Sequence, residues 1–103
     1  MSDGPTTLWK IISIDTLKTR AARVRGKLSL ENASAEEVLD LAAKRILDAE
    51  ASGSAEELFR EFARAWISKH PVTERRQRAG RLAVAFGADP RALIAYLKAR
   101  SVM

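Results

Sequence analysis

The stretch Ala79-Gly80-Arg81-Leu82-Ala83-Val84-Ala85-Phe86-Gly87-Ala88-Asp89-Pro90-Arg91-Ala92-Leu93-Ile94-Ala95-Tyr96-Leu97-Lys98 decides how this 103-residue chain is read. An apolar-periodic run stops at Gly87, the residue type that most readily takes the left-handed conformation closing a helix, and a second run begins at Asp89-Pro90. Asp89 suits an N-cap, and Pro90 suits the first helical position, where a missing N–H costs nothing. Two helices are therefore predicted to meet at a sharp corner.

Outward from that corner, Thr73 is the expected N-cap of the helix running to Phe86, and the last helix is expected from Pro90 to about Arg100. The first of these opens on Arg75, Arg76 and Arg78, although a helix N-terminus carries positive partial charge and disfavours cations. Helix stability does not explain those arginines. With Arg81, Arg75 and Arg78 step by three along the helix as a ladder that could meet phosphates or the acidic middle of the chain.

That middle contains a repeat. Ser34-Ala35-Glu36-Glu37 and Ser54-Ala55-Glu56-Glu57 each read as a capping box, in which Ser accepts from the backbone and Glu reaches back. Two stacked helices follow, the first to about Ala51 with Val38, Leu39, Leu41, Ala42, Ile46 and Leu47 inward. The second carries Leu58, Phe59, Phe62, Ala63, Trp66 and Ile67 inward and stops before Pro71. Nearer the N-terminus, Leu8, Ile11, Ile14, Leu17, Ala21, Val24 and Leu28 follow the spacing of one long amphipathic helix, with Gly26 near its exit. The β-branched cluster at 11–14 also suits a short strand with Asp15 capping a shorter helix behind it; the helix is preferred because no second strand is visible. Residues 1–7 read as a flexible lead-in and 8–103 as a single helical domain. The expected fold is all-α, a compact bundle of about five helices.

Cysteine is absent, which excludes disulfides and thiolate metal sites. Neither a signal peptide nor a transmembrane segment is expected, and a cytoplasmic location is the default. The net charge of +5 is unevenly spread: residues 10–27 and 62–103 are basic, and 28–61 are acidic. Catalysis finds no foothold. His70, the only histidine, precedes a proline and is better suited to binding carbonyls at a helix C-terminus. The acids occupy capping or exposed positions, and no phosphate loop or metal-ligand spacing occurs, so no enzyme, cofactor or metal site is expected.

The spacing of Ala83, Gly87, Leu93 and Tyr96 resembles the helix-turn-helix of DNA-binding regulators, in which a small residue, a turn glycine and apolar anchors hold two helices at a wide angle. The resemblance implies a small regulatory or accessory protein that binds nucleic acid, DNA rather than RNA. Arg75, Arg76, Arg78 and Arg81 would hold phosphates, while Arg91 and Lys98 would enter the groove. A homodimer is then expected, since one short recognition helix specifies little alone. The competing expectation is a non-enzymatic adaptor or inhibitor that docks its basic faces on an acidic protein, with Ile94, Tyr96 or Trp9 as anchor. Trp9 and the basic residues behind it could also describe a helix on anionic lipid, but core packing is preferred and no membrane partner is expected.

Overall fold

Ser13 divides what the apolar spacing presents as one long helix. The computed structural model describes the backbone of residues 4–24 and 33–103, with side chains from Leu8 onward, and within these residues it contains six helices and no strand. Helix α1 spans Gly4–Ile11, beginning inside the stretch read as a lead-in, and α2 spans Ile14–Ala21. Between them Ser13 takes an extended conformation (φ −91°, ψ 120°), and its hydroxyl accepts from the Thr16 N–H at 3.2 Å. Ser13 also donates its own N–H to the Phe86 carbonyl at 3.0 Å. The cap and this distant bond both oppose a continuous helix. Breaking there lets Leu8, Ile12 and Leu17 all reach the core from two directions. The long helix over 8–28 is thus corrected to two short ones; the exit assigned to Gly26 lies outside the described residues.

The repeat gives α3 (Ala35–Glu50) and α4 (Ala55–Ser68), packed as a hairpin. Its first capping box is complete: Glu37 N–H donates to Ser34 Oγ at 3.2 Å, and Ser34 N–H donates to Glu37 Oε1 at 2.9 Å. The second box is not formed. Ser54 makes no side-chain cap, because its hydroxyl pairs with that of Ser52 at 2.9 Å within the tight connection. Helix α5 (Val72–Ala85) begins directly after Pro71, so Thr73 lies inside the helix instead of capping it. Pro71 already turns the chain, and Glu74 N–H bonds to its carbonyl at 2.9 Å.

The corner forms as read. Gly87 has φ +70°, Ala88 N–H reaches back to the Ala83 carbonyl at 2.8 Å, and Asp89 caps α6 (Pro90–Ala99) by accepting from Ala92 N–H at 3.0 Å. The core lies between the helices around Phe59, whose ring centroid is 6.0 Å from Phe86 and 6.2 Å from Tyr96. Leu39, Ile46, Leu82, Leu93 and Leu97 complete it. The body measures 38 × 35 × 18 Å, a slab with room for two layers of helices, so most helices keep one side open.

Candidate nucleic-acid interface

Helix α6 owes its orientation to its inner face. Leu93 and Leu97 are fully buried, and Tyr96 is buried too, which removes it from the exposed anchors anticipated for a protein partner. Its hydroxyl donates to Glu56 Oε2 at 2.5 Å, and Arg100 Nε lies 3.3 Å from the same oxygen with its guanidinium 4.0 Å from the Tyr96 ring. Together these contacts tie α6 to the first turn of α4. Burial, and then the hydrogen bond and charge of Glu56, push the Tyr96 phenol well above its ordinary value of 10.0. A group whose pKa is raised on folding stabilises fully below its unfolded pKa, and this contribution fades as pH climbs past 10.0 because only the unfolded chain gives up the proton. Tyr96 is the only tyrosine, so an alkaline titration followed by tyrosinate absorbance should show ionisation coinciding with loss of helical circular dichroism. Ionisation at the ordinary value in a still-helical protein would contradict the Glu56 contact.

The outer face of α6 presents Arg91, Ala95 and Lys98, spaced by four and three and all exposed. They form one stripe over two turns. Ile94, beside it, is half-buried against the core, which weakens it as a contact for a base methyl or a partner protein. Trp9 is likewise half-buried.

On α5 the arginine ladder is divided by its surroundings. Arg75 is half-buried, and its Nε donates to the His70 carbonyl at 3.4 Å. Arg78 lies over the indole of Trp66, 3.9 Å from the ring centroid, while the Trp66 Nε1–H donates to the Arg78 carbonyl at 3.2 Å. Arg78 Nε is buried with no hydrogen-bond partner. Burial, then the charge of Arg81, lowers the pKa of this guanidinium, with Glu74 acting in the opposite direction. Two rungs of the ladder are therefore engaged with the protein itself. Arg76 and Arg81 are exposed and flank an outward face that also bears Gln77 and a largely bare Val84.

Among the described residues, the acids of the middle helices draw in other cations. Arg20 pairs with Glu36 and Asp40, Lys44 with Asp48, and Arg100 with Glu56. None of Arg75, Arg76, Arg78, Arg81, Arg91 or Lys98 enters an ion pair there. His70 is corrected as well: its Nδ1 faces Glu74 at 3.6 Å and does not bind the end of α4. No cluster of metal-binding side chains occurs among the described residues, and no described helix is long and apolar enough to cross a membrane.

Sequence reasoning passed over Arg20. Its Nε donates to the Ala85 carbonyl at 2.7 Å, and its Nη1 lies 2.9 Å from both Glu36 and Asp40. This side chain joins α2 and α3 to the end of α5, just before the corner. Asp40, which is buried beside the core residues Leu39 and Ala43 of α3, was the available clue, since a buried acid requires a partner. Comparison with known protein families, curated proteins and solved structures found no match to the chain.

Proposed function

We propose that the chain is a small nucleic-acid-binding protein that grips DNA with the α5–α6 corner. One observation carries this reading: the stripe Arg91, Ala95, Lys98 is exposed and unpaired among the described residues, on a helix whose opposite face is locked into the core. A cationic face on a short, rigidly seated helix suits entry into a major groove, with phosphates met by neighbouring cations. Arg76 and Arg81 fill the phosphate role, while Arg75 and Arg78 act mainly through the fold they brace. Arg91 and Lys98 suit guanine edges or phosphate, and Ala95 leaves room for close approach.

Duplex binding followed by fluorescence anisotropy across a salt series tests the proposal. Binding should weaken steeply with salt, since each phosphate neutralised releases counterions. Arg91→Ala should cost about tenfold on a preferred sequence, and Arg81→Ala should weaken all sequences alike while reducing the salt slope by about one. Failure to bind any duplex at low salt would remove the DNA reading and leave an acidic protein as the partner.

A further inference from the structure

Between α3 and α4 an open groove of about 200 Å³ reaches down to the buried Ala42 and Ile46. Val38 and Leu41 from α3 and Leu58 and Phe62 from α4 line it, all of them half-buried, and Arg45 is its one charged residue. We propose that this groove is the docking site of a second copy of the chain, forming a two-fold symmetric dimer through α3 and α4.

The charges on its two lips identify the occupant. Arg45, on the α3 lip, is exposed and belongs to no ion pair among the described residues. On the α4 side, Leu58 is shared with a shallow dimple that also contains Glu57 and Glu61, both exposed and equally unpaired. One lip is thus positive and the other negative, with an apolar floor between. A partner of one sign would satisfy one lip and be repelled by the other. A two-fold axis running along the groove, in the plane of contact, lays α3 of each copy over α4 of its mate, so Arg45 meets the partner's Glu57 and Glu61, and the same contact recurs in reverse. The apolar floors then close on each other as the middle of a two-layered four-helix bundle. The α5–α6 corner contributes no residue to the groove, so this dimer stands whether or not the corner binds DNA.

Sedimentation equilibrium at submillimolar protein concentration tests the inference. The chain should sediment at twice its own 11.4 kDa. Arg45→Glu alone, or Glu57→Arg with Glu61→Arg, sets like charges against each other on both sides of the axis and should weaken self-association at least tenfold. An equimolar mixture of the two variants restores opposite charges on both sides and should return the doubled mass. All three positions are exposed, so circular dichroism should show an unaltered fold. A wild-type mass of 11.4 kDa would overturn the inference and leave the groove to another protein. Variants that stay dimeric, or a mixture that stays monomeric, would overturn it equally. Loss of DNA binding with the doubled mass intact would count against the corner and not against this interface.

Discussion

Replacing Arg20 by alanine should lower the unfolding free energy by about 3–5 kcal/mol, a large fraction of what holds a domain of this size together. The Arg20 and Asp40 side chains retain only 14% and 11% of their exposure, so their charges have largely left water and depend on each other. Truncating Arg20 strands the buried Asp40 carboxylate and removes the donor to the Ala85 carbonyl in the same step. Glu36, more than half exposed, can rehydrate and contributes little. The double variant Arg20→Met with Asp40→Leu should recover most of the loss, because an apolar pair of similar volume avoids the desolvation cost altogether. Urea denaturation measures both. A single-variant loss under about 1 kcal/mol would show the pair to be well solvated and dispensable.

Gly87→Ala should cost about 2–5 kcal/mol, combining the left-handed backbone penalty with overpacking. A Cβ at this position would sit 2.6 Å from Thr16 Oγ1 and 2.8 Å from Ser13 Cβ, on a backbone at φ +70°. Ser13 Cβ lies one bond from a main chain that is itself hydrogen-bonded to Phe86, so α2 must shift as a unit to make room. Gly80→Ala is the internal control. It lies within α5 with open space around its added methyl, and it should stabilise the protein by about 0.5–1 kcal/mol. Thermal unfolding of the two variants should therefore shift in opposite directions. A Gly87→Ala protein as stable as the wild type would mean that α2 does not press on the corner.

The corner was legible in the sequence because its signals are local: a glycine that must turn, an aspartate that caps and a proline suited to a first turn act within five residues of one another. The all-helical class was legible for a similar reason, as apolar spacing declares itself within each segment. Ser13 was hidden by the same spacing, since Leu8, Ile11, Ile14 and Leu17 keep helical period across a break that depends on a bond to Phe86, 73 positions away in sequence. Ser54 and Thr73 had the composition of caps without the geometry, because a neighbouring hydroxyl and Pro71 displaced them. Val38, Leu58 and Phe62, read as inward, do pack against the core, but with Leu41 they also border an open groove, which periodicity alone does not reveal. The exposed stripe on α6 was anticipated in Arg91 and Lys98. The loss of Arg75 and Arg78 to His70 and Trp66 was not, because contacts between α4 and α5 leave no trace in linear charge.

The bonds from Ser13 N–H to the Phe86 carbonyl and from Arg20 to the Ala85 carbonyl have a dynamic consequence. They satisfy the final carbonyls of α5 with groups from a segment far upstream, so the C-terminal helix pair has no complete terminus of its own. Local opening of that pair must then release α2, and amide exchange across both regions should proceed as one cooperative event. An excised peptide holding α5 and α6 alone would lack this closure, which makes the helix pair an inseparable part of its host and not a portable module.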